Sequence, residues 1–167
     1  MRFMNSLPKI LLLSIILLFI VGCYRFSQST LPAHIKSILI QPVQNQTLYP
    51  MMGEDLYEGL QQEIRRQASS LRQVNTGGNS ELSVLLLSYQ NTPGEYDSQG
   101  RVRNYRVILR ADVIFKDLVR DEVLYEGKNL EAIAFYDVSA NETELNGQKQ
   151  AIKNLKDLII TNILSGW

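Results

Sequence analysis

Two groups of residues in this 167-residue chain have chemistry to offer. Arg101, Arg103, Arg106 and Arg110 form the one dense arginine cluster, just after the turn-rich stretch Tyr96-Asp97-Ser98-Gln99-Gly100. Guanidinium groups at such spacing suit an anionic ligand, because each presents a planar fork of donors to phosphate or carboxylate oxygens. On an extended strand Arg106 and Arg110 share one face, and Arg101 and Arg103 share the other. The same pattern suits two plainer roles: a solvated strand face whose charge guards an edge, or salt bridges to Asp112 and to acids on a neighbouring strand. Tyr96 and Asp97 either order the loop by local hydrogen bonds or present it to a partner.

The second group is Cys23, the only cysteine, standing behind small Gly22 and an apolar run from Ile10 to Val21. Arg2 and Lys9 precede that run, so residues 1–22 have the basic, apolar and small-residue parts of a cleaved signal peptide. The apolar run is short of the ~20 residues that a spanning helix needs. The segment Ile20-Val21-Gly22-Cys23 resembles the lipobox of bacterial lipoproteins. The resemblance implies a diacylglyceryl group on the Cys23 thiol, cleavage before it and an N-acyl chain on the new amine. Several chains anchor far better than one, since each buried methylene contributes about 0.8 kcal/mol. Tyr24 is not the aspartate that retains some lipoproteins at the inner membrane, so the expected address is the outer membrane.

Other chemistries find no support in the residues. His34 is the sole histidine, has no carboxylate beside it in sequence, and reads as a surface residue. No nucleophile elbow, phosphate loop or metal-ligand spacing occurs, which argues against a hydrolase and against any cofactor beyond the acyl chains on Cys23. The signal removes two of the 17 basic residues and none of the 17 acids, leaving the mature chain at −2 with no nucleic-acid footprint. With its cysteine acylated it has no disulfide, so packing must supply the stability.

The elements that position these groups follow from periodicity. Residues 23–34 read as a lipidated tether, and residues 35–167 as a single domain of ordinary size. Ile35 to Val43 is β-branched and reads as a strand, followed by a loop to Pro50 that Asn45 and Thr47 close. Leu56, Tyr57, Leu60, Ile64 and Leu71 recur at helical spacing over 54–71, with acids early and bases late. Leu82 to Tyr89 reads as a buried strand, and 101–116 as a long one whose core face is Tyr105, Val107, Leu109, Ala111, Val113 and Phe115. Residues 123–134 pair back, with Gly127 a bulge or close-approach point. Ser139 and Glu142 match a capping box before a last helix that buries Ala151, Ile152, Leu155, Leu158, Ile159 and Ile163. The order β-α-β-β-β-α predicts an α+β two-layer sandwich, two helices on a four-stranded, mostly antiparallel sheet.

Several segments, in this order behind a lipobox, resemble the LptE family of lipopolysaccharide-assembly lipoproteins. They are 31–36, Pro42-Val43-Gln44-Asn45-Gln46-Thr47, 96–102, Asn104-Tyr105-Arg106-Val107, Val123-Leu124-Tyr125-Glu126 and Phe135-Tyr136-Asp137-Val138-Ser139. The resemblance implies a non-catalytic partner of the LptD outer-membrane β-barrel, partly seated in its lumen, that supports its assembly and lipopolysaccharide delivery to the outer leaflet. Lipopolysaccharide and the barrel are then the expected contacts of Tyr96 and the four arginines. Tether and domain also suit an accessory of another outer-membrane assembly or secretion machine.

Overall fold

A computed structural model describes residues 31–165. The signal segment, Cys23 and the tether through residue 30 lie outside the described residues, as do Gly166 and Trp167. Strand β1 (Ser37–Ile40) and the short β2 (Gln44–Asn45) lead into helix α1 (Met51–Gln67); β3 (Arg72–Val74), β4 (Ser80–Pro93), β5 (Asn104–Asp117) and β6 (Glu122–Asp137) follow. A 3-10 turn (Val138–Ala140) precedes helix α2 (Glu144–Ser165). The sheet runs β3-β1-β4-β5-β6, with β2 also on β4.

The α+β architecture matches the expectation, with six strands in place of four. The two additions, β2 and β3, span two and three residues, too few for alternation to register. Both pair parallel, β3 on β1 and β2 on β4, whereas β4, β5 and β6 form an antiparallel meander. The crossover through α1 returns the chain beside β1 before β4 takes its other flank.

Helix α1 forms because Met52, Leu56, Leu60 and Ile64 make one buried stripe, with Glu54 in its first turn and Arg65 and Arg66 in its last. It stops at Ala68, earlier than the periodicity predicts, and Leu71 is buried from the turn beyond. In α2 the buried stripe is Ala151, Ile152, Leu155, Ile159, Ile160 and Ile163, while Leu158 is only half-buried. Its start also differs from expectation. Ser139 lies in the 3-10 turn, where Asp137 caps and the Glu142 carboxylate accepts from the Asp137 amide at 2.7 Å. The helix itself follows Thr143, whose amide and hydroxyl both donate to Asn146 Oδ1 at 2.8 Å.

The core lies between helices and sheet, where Phe115, Leu82, Leu86, Leu109, Leu155 and Ile159 are fully buried. Truncating one such side chain to Ala removes its transfer free energy and leaves a cavity, a cost of about 2–5 kcal/mol. Gly127 is a close-approach point as expected: a Cβ there would meet Tyr125 Oη at 2.5 Å, and the ladder to β5 shifts register beside it.

Strand directions divide the domain into two ends. β1, β4 and β6 start at the base, where residues 31–36 lead in; both helices start at the opposite tip, so they run parallel to each other. The base holds His34, the turn between β5 and β6 and the last turns of the helices. The tip holds the hairpin loop between β4 and β5, the 3-10 turn and the first turns of the helices.

Candidate anionic and partner contact site

The arginine cluster begins at the tip. Strand β4 ends at Pro93 and β5 begins at Asn104, and residues 94–103 between them fold back on themselves through a Tyr96–Val102 bridge and the Arg103 amide donating to the Glu95 carbonyl at 2.7 Å. Arg101 and Arg103 therefore lie in the loop and not on the long strand, because Asn104 ends the ladder with its side-chain oxygen accepting from the Glu95 amide at 2.9 Å. Tyr96 stands 60% exposed on this loop.

Asp97 organises the loop. Its Oδ1 accepts from the amides of Gln99 and Arg101, each at 2.9 Å, and its Oδ2 accepts from Arg101 Nε at 2.8 Å. The Arg101 backbone donor, with the guanidinium and the Gln99 amide, holds the Asp97 carboxyl below its usual range despite partial burial. Arg103 Nε stands 3.8 Å from Asp137 Oδ2, where hydrogen bonds from the Ser139 side chain and backbone likewise keep the carboxyl ionised. The Asp97 assignment to local ordering is thus visible, and two of the four guanidinium groups have carboxylate partners in the loop region.

Arg106 and Arg110 lie where period two places them, on the sheet face away from the helices. Arg110 Nη2 meets Glu131 Oε2 at 2.5 Å on the paired strand, the salt-bridge alternative. Asp112, the other proposed partner, instead accepts from the Asn129 amide at 2.7 Å, fixing the bulge near Gly127. Arg106 has no ion pair among the described residues. Its cross-strand neighbours are Thr92 and Phe135, and Phe135 is 58% exposed. Ile108 faces Ile133 one step along the same face. Ile108 is itself buried beneath its neighbours, so an unneutralised guanidinium beside exposed Phe135 and Ile133 makes the amphiphilic surface, with one fork for an anionic group and apolar area next to it.

Sequence reasoning missed Phe135, because its partner across the ladder depends on register. It also missed a second apolar feature at the tip. Leu48, almost fully exposed, stands on a loop held by Asn45, which donates to the Tyr49 carbonyl at 2.9 Å and accepts from Thr47. The closing role expected of Asn45 and Thr47 is what they perform. Tyr49 packs edge-on to Tyr89 at 4.7 Å, and Tyr89 donates to Glu144 Oε1 at 2.5 Å. Burial and that carboxylate push the Tyr89 phenol far above its ordinary value, so it remains a donor.

His34 corrects a further expectation. It is not a partnerless surface residue: its Nε2 lies 2.5 Å from Oδ2 of Asp117, which is fully buried at the end of β5. No group of three metal-ligating side chains occurs among the described residues, and no helix among them is long and apolar enough to cross a membrane.

Comparisons with known proteins agree with the architecture. The family model described as LptE, lipopolysaccharide-assembly, matches residues 35–165. Among solved structures, the hypothetical protein CT253 from Chlamydia trachomatis superposes with a TM-score of 0.58 at 8% identity, covering 77% of this chain and 95% of that one. Protein XCC0632 from Xanthomonas campestris reaches 0.52 at 10% identity, over 82% and 91%. A PelC dodecamer subunit from Paraburkholderia phytofirmans reaches 0.51 at 12% identity, over 83% and 95%. At such identities the likeness is one of fold. No curated protein sequence matches the chain.

Proposed function

The chain belongs to the LptE lipopolysaccharide-assembly family, and from that membership we propose that it is the lipid-anchored, non-catalytic partner of an LptD-type β-barrel in the outer membrane. In this reading residues 1–22 are removed, Cys23 carries the acyl chains, and residues 31–165 form the folded body that meets the barrel and lipopolysaccharide. The family match over nearly all of that body carries the proposal.

The surface chemistry supports it. Lipopolysaccharide combines phosphates with acyl chains, and Arg106 with Phe135 and Ile133 offers a free cation beside apolar area on the open sheet face. Arg101, Arg103 and Arg110 already have carboxylates, so an anionic ligand would have to compete for them. We therefore place the anionic contact at Arg106, with Tyr96 and the other three arginines as contacts to the polar wall of a barrel lumen.

The deciding experiment is a pull-down of the tagged, lipidated protein from gently solubilised outer membranes. A large barrel of the LptD kind in stoichiometric amount is the expected companion. Stoichiometric recovery of a different envelope machine, with known outer-membrane complexes intact in the same preparation, would overturn the assignment.

A further inference from the structure

One corner of the tip, where the loop after β2 meets the first turns of both helices, leaves large apolar side chains uncovered. Leu48 is 95% exposed, Met51 62% and Leu145 56%. A single exposed aliphatic side chain is ordinary surface, but these three share one hollow of about 300 Å³ with Tyr49, Met52 and Ile152. That volume lies at the low end of ligand sites, roughly 300–1,000 Å³, so the hollow admits a side chain and not a folded element.

The wall that carries Leu48 is braced before any partner arrives. Beyond the Asn45 bonds, the Gln46 amide donates to the Leu86 carbonyl at 2.9 Å, the Tyr49 amide to Thr47 Oγ1 at 3.2 Å and the Met52 amide to the Tyr49 carbonyl at 3.1 Å. Gly53 lets α1 start against this loop, since a Cβ there would stand 3.0 Å from Asn45 Cβ. A braced loop loses little freedom on association, which leaves more of the contact energy for affinity. On the helix wall Met51 and Met52 are unbranched and adapt to the shape of what enters.

The charges around the hollow select the occupant. The elements that wall it carry Glu54, Asp55 and Glu58 on α1 and Glu144 on α2, against one base, Lys149; residues 41–50 carry no charge. Glu144 is occupied by Tyr89 and Gln148. Glu54, Asp55, Glu58 and Lys149 have no ion pair among the described residues. The tip's arginines do not balance these acids, because Arg101 and Arg103 face Asp97 and Asp137 in and beside the hairpin loop. An acidic rim repels phosphate-bearing lipid and favours basic side chains.

We propose that this hollow receives a bulky apolar side chain from a lumen-facing segment of the barrel, flanked there by Lys or Arg that meet Glu54, Asp55 and Glu58. The inference rests on the barrel reading and assigns this corner a protein contact, while Arg106 on the open sheet face keeps the anionic one. Tyr96 stands on the same tip, so both it and Leu48 meet the barrel with the tip in the lumen. A desolvated apolar anchor inside a ring of polar contacts is the usual anatomy of an energetic centre in a protein interface.

The test is photo-crosslinking of the full, lipidated chain in cells, with benzoylphenylalanine at position 48 in one strain and at position 96 in another. Position 48 should give an adduct that contains the barrel protein. Neutralising the rim with Glu54→Gln, Asp55→Asn and Glu58→Gln, all at exposed positions, should reduce that adduct severalfold while the variant melts as the parent does. Leu48→Asp in the otherwise unaltered chain should lower recovery of the barrel severalfold in the pull-down. An adduct of position 48 with lipopolysaccharide, or no barrel adduct at 48 while position 96 gives one, would overturn the inference and leave the barrel reading standing. An adduct at 48 indifferent to the rim charges, with barrel recovery unchanged by Leu48→Asp, would overturn it as well. Absence of the barrel from both adducts and from the pull-down would refute the barrel reading and this inference with it.

Discussion

His34 Nε2 and Asp117 Oδ2 stand 2.5 Å apart across 83 positions of sequence, joining the segment before β1 to the end of β5. Burial pushes the Asp117 carboxyl up, but the His34 hydrogen bond and the backbone amides of Arg120 and Val119 outweigh it and hold the group below the ordinary aspartate range. Folding therefore lowers this pKa, and the stabilisation is complete above the unfolded value of about 3.9 and is lost as pH falls through the native value. Asp117→Ala should lower Tm and speed amide exchange at Ile35 and Val119. Asp117→Asn, which keeps an acceptor for the two amides, should do so less. An unchanged Tm and exchange pattern in Asp117→Ala would show that the contact does not fasten the segment before β1.

Glu63 is the carboxylate between the helices, 5% exposed, with Lys156 Nζ 3.1 Å from its Oε2. Hydrogen bonds from Arg66 and Gln67 lead, against burial and with help from Lys156, in lowering its pKa to about 2. Its stabilisation is present at neutral pH and should fade as pH falls from about 4.3, the unfolded value, towards 2. Glu63→Gln should cost roughly 2 kcal/mol at pH 7 by chemical denaturation, since it strips charge-assisted bonds from a buried site. The difference between variant and parent should shrink in acid.

Arg106→Ala should weaken lipopolysaccharide binding several-fold and flatten its salt dependence, while leaving stability within about 0.5 kcal/mol, as exposed substitutions do. Arg101→Ala should change binding less and should loosen the hairpin loop, because Asp97 loses its side-chain partner. Binding assays on both folded variants at two salt concentrations separate these roles. Equal losses would return the anionic contact to the cluster as a whole.

Cys23→Ala should leave the precursor without acyl label, unprocessed and poorly retained by the outer membrane. Radiolabelled lipid and a mobility shift on gels read both effects. Continued labelling and processing would refute the lipidation site.

Much of the architecture was legible because long elements repeat their pattern many times. The alternation of Val107, Leu109, Ala111, Val113 and Phe115 over β5, and the helical stripes of α1 and α2, each sample several periods of burial. The strands β2 and β3 span less than two periods, so only their partners define them. At the last helix the S-x-x-E pattern was a true local signal for reciprocal capping, yet Asp137 with Glu142 closes the 3-10 turn and Thr143 with Asn146 starts the helix. Both patterns occur within ten residues, and the competition is settled by which backbone amides packing leaves unpaired.

By itself the sequence determined the class of fold and the faces of the long strand, since both rest on local composition and periodicity. The tertiary structure alone decided which arginines are free. Arg101 is neutralised from four residues away and Arg110 from the paired strand, whereas Arg106 meets Thr92 and Phe135 in the ladder. It likewise brought His34 to Asp117. Electrostatic partnership depends on distance in space, and strand register sets that distance between residues that no sequence window contains together.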